Sequence, residues 1–158
     1  MGRQEHDIPQ AIRALSPMTD PDYIDLFTLT TQDASHRSPE QWARAAFDDV
    51  AGLRGQLTWR VLLGLRLKGR GSSADHVAGW QIIDRGDRTI VLKAHSWMLT
   101  GGLAVRVDDG QVSLATFVRY DRPIATRVWS LLSAVHRRAV PGLLRDAYRI
   151  QRRPTPRR

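Results

Sequence analysis

The feature that most constrains the fold is a run of period-two hydrophobicity between residues 76 and 120. Three turn signals divide this run, at Asp84-Arg85-Gly86-Asp87, Thr100-Gly101-Gly102 and Asp108-Asp109-Gly110. Alternation of this kind is typical of strands, and such glycine-containing turns favour hairpin connections. The run therefore predicts four antiparallel strands joined as a meander.

The alternation also sorts the side chains of the meander onto two faces. The mainly apolar row, predicted to face a core, is Trp80, Ile82, Ile90, Leu92, Ala94, Ser96, Met98, Leu103, Val105, Val107, Val112, Leu114, Thr116, Val118 and Tyr120. The opposite row is mostly polar, but Trp97 and Phe117 interrupt it. This predicts an antiparallel sheet with one face in water. The two aromatic side chains indicate either a homodimer contact or coverage by the first strand or the leader.

Before the meander, the sequence predicts one strand and two helices. Residues 22–31 favour the first strand. Ser38-Pro39-Glu40-Gln41 has the pattern of a capping box, so a helix begins there, with an apolar stripe that starts at Trp42 and ends near Gly52. A second, largely buried helix is predicted from about Leu53 to Leu67, followed by a glycine- and serine-rich linker at residues 69–73.

After the meander, a long helix is predicted from Asp121, as its N-cap, to about Tyr148. Its apolar stripe consists of Ile124, Val128, Leu131, Leu132, Val135 and Ala139, flanked by Trp129, His136, Val140 and Leu143. Pro141 predicts a kink, because proline cannot donate to the carbonyl of Arg137.

These elements predict an α+β domain in which the last helix covers the apolar face of a curved antiparallel sheet. Ala94, Ser96 and Thr116 are small residues in the middle of bulky inward rows, so the layer between helix and sheet is expected to keep some space. The predicted organisation is an extended leader at residues 1–21, one domain at residues 22–150 and a basic, disordered tail at residues 151–158.

The positive charge is confined to the C-terminal part of the chain. Residues 1–126 carry 15 basic and 15 acidic side chains, whereas residues 127–158 carry nine arginines and only Asp146. A nucleic-acid-binding domain more often spreads basic residues over a docking face, so such a partner is disfavoured. The alternative is an interaction protein whose arginine-rich C-terminus binds nucleic acid or an anionic membrane.

The chain resembles a family of uncharacterised bacterial proteins in the START-like, polyketide-cyclase superfamily of helix-grip folds. The resemblance lies in Ala78-Gly79-Trp80, in residues 116–123, in Val128-Trp129 and in residues 136–144, and it covers residues 22–148. It implies a hydrophobic cavity between the long helix and the sheet. Members of the superfamily bind lipids, sterols, polyketides or plant hormones there, and some are cyclases, aromatases or hydrolases. The five strands that are clear in the sequence are fewer than the seven or so that are usual.

The expected function is therefore binding of a small hydrophobic molecule, with cyclase- or aromatase-type acid–base chemistry left open. His136 is the candidate acid or base, and Tyr120 is the candidate partner for a carbonyl. The alternative for His136 is a core histidine that hydrogen-bonds to a neighbouring group. The residues expected to line the cavity are Trp80, Ala94, Ser96, Val105, Thr116, Trp129 and Leu132.

Several classes of site are absent from the sequence. There is no cysteine, no His or carboxylate cluster with metal-ligand spacing, no phosphate-binding glycine loop and no Gly-x-Ser-x-Gly motif. We therefore expect neither a metal nor a cofactor. The lack of cysteine, of a signal peptide and of any long apolar segment favours the cytoplasm.

Overall fold

A computed structural model describes residues 2–4, 8–50, 64, 65, 67 and 74–152 of the chain. The strands in these residues are β1 (Gly2–Gln4), β2 (Tyr23–Thr30), β3 (His76–Val77), β4 (Trp80–Arg85), β5 (Thr89–His95), β6 (Leu99–Asp108) and β7 (Gln111–Tyr120). The helices are α1 (Gln10–Arg13), α2 (Pro39–Arg44), which continues as a π-helical turn over Ala45–Val50, and α3 (Pro123–Arg152). A 3-10 turn covers Ala34–His36.

The strands form one antiparallel sheet in the order β1-β2-β7-β6-β5-β4-β3. Helix α3 and the α2 segment pack together on one face of this curved sheet, and the main core lies between these helices and the strands. The predicted α+β, helix-grip architecture is thus confirmed. The sheet exceeds the five strands predicted from the sequence because the short β1 and β3 add one strand at each edge.

The predicted meander is confirmed, but one of its turns was misplaced. Thr100-Gly101-Gly102 lies inside β6, and the chain reverses at residues 96–98 instead. The two glycines allow close approach from both sides of the sheet. A Cβ on Gly101 would lie 3.1 Å from the Trp80 ring, and one on Gly102 would overlap Pro17. Glycine inside a strand is typical where another group approaches the backbone closely.

Helix α2 begins as the sequence predicts. Ser38 accepts a hydrogen bond from the Gln41 amide, and the Gln41 side chain accepts one from the Ser38 amide, which completes the capping box. This start orients the helix so that Trp42 is buried, and its indole Nε1 donates to the carbonyl of Ala34 at 3.0 Å. The predicted second helix falls mostly outside the described residues. Gly64, Leu65 and Leu67, which are described, are not helical.

The outer face of the sheet is not exposed to water throughout, although the alternation predicted that it would be. Residues 8–18 fold over it, and Ile12 and Met18 pack on Leu26, Ala104 and Phe117 in a second apolar cluster. The leader is therefore not merely extended, since it contains β1 and α1. Phe117 is fully buried under it, so the predicted homodimer face of Trp97 and Phe117 is not available as such. Trp97 remains 57% exposed.

Helix α3 runs from Pro123 through Pro141 to Arg152, but its buried stripe is rotated from the predicted one. The side chains that face the sheet or the α2 segment are Ala125, Trp129, Leu132, Ser133, His136, Val140, Leu144 and Ala147. Ile124, Leu131 and Val135, which the sequence placed in the core, are exposed. The residues predicted to flank the stripe are thus at its centre, where Trp129 and Val140 are buried and His136 hydrogen-bonds to polar groups of the sheet. In the described part of the chain, no helix has the length and apolar character needed to cross a membrane.

Candidate functional site

A hydrogen-bonded cluster joins helix α3 to two neighbouring strands. His136 Nε2, on α3, lies 3.0 Å from Asp25 Oδ2 on β2 and 3.1 Å from Thr116 Oγ1 on β7. Asp25 and Thr116 are paired across the two strands, so the register places the carboxylate and the hydroxyl side by side. The cluster therefore depends on the pairing of β2 with β7 and on the rotation of α3 about its axis.

Asp25 is the most deeply buried member of this cluster. It is 2% exposed, whereas the His136 side chain is 21% exposed. Tyr23 lies two residues before Asp25 on the same face of β2, and its hydroxyl donates to Asp25 Oδ2 at 2.7 Å. Burial, together with the hydrogen bond and the negative charge of Asp25, raises the pKa of the Tyr23 hydroxyl far above its ordinary value. Tyr23 is therefore a hydrogen-bond donor over the whole physiological pH range.

Aromatic rings surround the cluster. Trp129 lies two turns before His136 on the same face of α3. Its ring centroid is 5.3 Å from that of His136 and 5.1 Å from that of Tyr23. Phe27 approaches His136 edge-on, with 6.4 Å between centroids. These rings exclude water from the Asp25 carboxylate. Because water then competes less for the carboxylate oxygens, each hydrogen bond to them is stronger.

The hydrogen bonds determine which nitrogen of His136 carries a proton. An ionised carboxylate only accepts, so Nε2 carries the hydrogen that points to Asp25 Oδ2. In the neutral ring, Nδ1 then has the lone pair, and among the described residues it makes no hydrogen bond. A histidine held in this way presents the lone pair of Nδ1 in a fixed direction, which is the geometry that a general base requires.

Two buried polar atoms of the cluster are not hydrogen-bonded within the described structure. These are Asp25 Oδ1 and the indole Nε1 of Trp129. Leaving such an atom without a partner costs about 1–3 kcal/mol, and more for a charged group. Native proteins leave few polar atoms in this condition, and a functional site is one of the recognised reasons. Together, Asp25 Oδ1 and Trp129 Nε1 offer one hydrogen-bond acceptor and one hydrogen-bond donor in a mostly apolar environment.

The structure brings together three of the residues that the sequence singled out, namely His136, Thr116 and Trp129. Tyr120 is half-buried at the end of β7, where its amide donates to Asp22 Oδ2 at 2.6 Å. Burial, followed by the negative charge of Asp22, raises the pKa of the Tyr120 hydroxyl. Ser96 is used by the hairpin instead, since its Oγ accepts from the amides of Met98 and Leu99 at 3.1 and 3.0 Å.

The remaining predicted lining residues are part of the packed core. The Trp80 ring reaches from β4 across β5 to Gly101 on β6, and Ala94 is the β5 residue that pairs with Gly101. A small residue at position 94 therefore has a packing reason, which is to let an indole cross the strand. Val105 is buried in the same core, and Leu132 packs at its edge.

Sequence analysis missed Asp25 and Tyr23. The signal was present, because Tyr23, Asp25, Phe27 and Leu29 alternate with Ile24 and Leu26 along β2. Period-two alternation puts Asp25 on the face of Phe27, which places an acidic residue in a buried row. Buried carboxylates are rare unless they are paired, so this placement alone indicates a partner.

A separate cleft of about 380 Å³ lies away from this cluster, between the 3-10 turn, the start of α2 and the β4–β5 turn. Its charged lining residues include both Arg37 and Arg88 and both Asp87 and Asp109, so it has no preferred ligand charge. Within the ranges that the structure describes, no three His, Asp or Glu side chains are grouped so that they could hold a metal ion.

Comparisons with protein-family models, with curated proteins and with solved structures gave no match to this chain. The cluster of Asp25, His136, Thr116, Tyr23 and Trp129 is therefore interpreted from its own chemistry.

Proposed function

We propose that the chain binds a small hydrophobic molecule that carries a hydroxyl group, with the apolar part between helix α3 and the sheet and the hydroxyl at Asp25 and Trp129. The observation that carries this proposal is the buried Asp25 carboxylate, whose Oδ2 accepts two hydrogen bonds while Oδ1 accepts none. A ligand hydroxyl donates to Asp25 Oδ1 and accepts from Trp129 Nε1, which satisfies both atoms.

The surroundings support a ligand with an apolar body. Phe27 and Trp129 lie around the cluster, and the core between helix α3 and the sheet is otherwise mostly aliphatic. Ligand sites of this kind are mostly apolar, with a few polar groups that fix the orientation of the ligand. The resemblance to helix-grip proteins supports the same location, between the long helix and the sheet.

The proposal is tested by calorimetric titration with 1-naphthol and with 1-methoxynaphthalene, which has no hydroxyl hydrogen. A hydrogen bond to a charged group contributes about 1.5–3 kcal/mol, so 1-naphthol is expected to bind about tenfold to a hundredfold more tightly. Asp25→Asn should abolish this preference. Asp84→Asn, at an exposed aspartate of β4, is the matched control and should retain it. Equal affinity of the wild-type chain for the two probes, or no saturable binding of either, contradicts the proposal.

A second function, acid–base catalysis on the bound molecule, is favoured by the geometry of His136. Its Nδ1 is the basic nitrogen of an imidazole that Asp25 orients, and its side chain is partly accessible to solvent. Such a group removes a proton from a carbon next to a carbonyl, as a cyclase- or aromatase-type reaction requires. His136→Gln separates the two functions. Loss of turnover of a poly-β-ketone with unchanged probe affinity supports catalysis, whereas no turnover by the wild-type chain leaves binding alone.

A further inference from the structure

The outward face of helix α3 combines exposed aliphatic side chains with arginines. Leu131, Val135 and Ile124 are 78%, 63% and 47% exposed, although all three are large apolar residues. At 100° per residue they lie within about 40° of one another on the helix surface. The remaining large apolar side chains that are exposed in the described residues are Ile83, on β4, and Trp97, in the turn between β5 and β6.

The arginines lie on the same face. Arg127, Arg138, Arg145 and Arg149 are all exposed, and at 100° per residue they fall beside or between the three aliphatic side chains. The only acidic residue of α3 is Asp146, which lies 3.7 Å from Arg149. Within the described part of the chain, Arg127 and Arg138 form no ion pair. The face is therefore both apolar and strongly basic.

We infer that this outward face of α3 is a docking surface for an anionic lipid bilayer. The arginines complement lipid phosphates and acidic headgroups, and the aliphatic side chains enter the boundary between headgroups and acyl chains. The interface of an anionic bilayer offers both environments at the depth of one helix. A duplex nucleic acid would use the arginines, but it offers no apolar layer for Leu131 and Val135.

The inward face of the same helix carries the core residues and His136 of the Asp25–His136 pair, so docking of the outward face leaves the core intact. This inference is independent of the proposed ligand site, because none of its residues belongs to that site. The helix is 30 residues long, which gives a contact of about 45 Å along the bilayer plane.

The test is flotation of the full chain with vesicles of phosphatidylcholine, with and without phosphatidylserine. Binding is expected only to the vesicles that contain phosphatidylserine, and it should weaken as salt is added. Because each basic residue near the surface contributes about a fivefold factor, Arg127→Gln with Arg138→Gln should weaken binding about twenty-five-fold. Leu131→Gln with Val135→Gln should weaken it by at least about tenfold.

Matched controls come from exposed residues off this face. Ile83→Gln and Arg88→Gln should bind vesicles like the wild-type chain, and thermal unfolding checks that each variant is folded. The inference is overturned if the wild-type chain does not float with anionic vesicles at low salt. It is also overturned if replacement of Arg153, Arg157 and Arg158 by Gln abolishes binding while the α3 variants bind normally. Binding to duplex DNA that depends on Arg127 and Arg138 but not on Leu131 and Val135 would overturn it in favour of nucleic acid.

Discussion

Asp25 Oδ2 on the second strand lies 3.0 Å from His136 Nε2 on the C-terminal helix. The contact and the burial of Trp129, Val140 and Leu144 agree on one rotation of α3 about its axis, in which His136 faces the strand that carries Asp25. The rotation in turn exposes Leu131 and Val135, which a purely apolar stripe would have buried. The Asp25–His136 pair and the buried apolar side chains of α3 therefore lie on the face that meets the sheet, whereas Leu131 and Val135 lie on the face that meets solvent.

The stability of the fold should depend on the Asp25–His136 pair. Because removal of one partner leaves the other buried without compensation, we expect His136→Ala to lower the free energy of unfolding by about 2–4 kcal/mol. Asp25→Asn should lower it by about 1–3 kcal/mol. Urea unfolding followed by circular dichroism measures both values.

The double variant distinguishes a direct interaction from two separate effects. When both partners are removed, the combined loss should be smaller than the sum of the two single losses by about 1–2 kcal/mol. His36→Ala, at an exposed histidine, is the control and should change stability by less than about 0.5 kcal/mol. Strict additivity of the two single losses would show that the contact contributes nothing to stability.

A second prediction concerns alkaline pH. Burial and Asp25 raise the pKa of Tyr23 in the folded chain, so the folded state holds this proton more tightly than the unfolded state does. The stability that Tyr23 contributes is therefore complete below about pH 10, the ordinary pKa of tyrosine, and is lost as the pH rises above it. The free energy of unfolding should fall over this range.

Tyr23→Phe is the matched test, because it removes the titrating hydroxyl and keeps the ring that packs on Trp129. The variant should be less stable than the wild-type chain at neutral pH, and the difference between them should shrink above pH 10. A difference that stays constant from neutral to alkaline pH would refute the assignment of this titration to Tyr23.

A third prediction concerns the leader on the outer face of the sheet. A Cβ at Gly102 would overlap Pro17, so Gly102→Ala should displace residues 8–18 and lower the free energy of unfolding by about 1–3 kcal/mol. Hydrogen exchange should show faster exchange in α1. Gly142→Ala is the control, because a Cβ there meets nothing within 4 Å and alanine favours a helix by about 1 kcal/mol. Equal stability of Gly102→Ala and the wild-type chain would mean that the leader does not pack tightly on β6.

Much of the fold followed from the sequence because strong local signals agree with it. The period-two run predicted the meander, and the Ser38 capping box predicted the start of α2. The errors arose where tertiary contacts outweigh local signals. Thr100-Gly101-Gly102 has the composition of a turn, yet both glycines lie inside strand β6. They leave room there for Trp80 on one side of the sheet and for Pro17 on the other. The local sequence of β6 gives no indication of these two contacts, because Trp80 and Pro17 lie elsewhere in the chain.

The candidate site was only half predictable for a related reason. His136 and Thr116 were found because each interrupts an apolar row that the periodicity defines clearly. Asp25 was missed because strand propensity identifies β2 without distinguishing its two faces. The pairing of β2 with β7, which brings Asp25 next to Thr116, joins residues far apart in the chain and is not visible in either strand alone.

The ligand site at Asp25 and Trp129 is tested most directly by the indole N–H resonance of Trp129 in a ¹H–¹⁵N spectrum during titration with 1-naphthol. Of the five tryptophan signals, the one that disappears in Trp129→Phe belongs to this residue. That signal should shift saturably as its N–H finds a hydroxyl acceptor, with the same Kd as calorimetry gives, and the shift should vanish in Asp25→Asn. A probe that saturates the chain while the Trp129 signal stays in place would contradict a ligand site at Asp25 and Trp129.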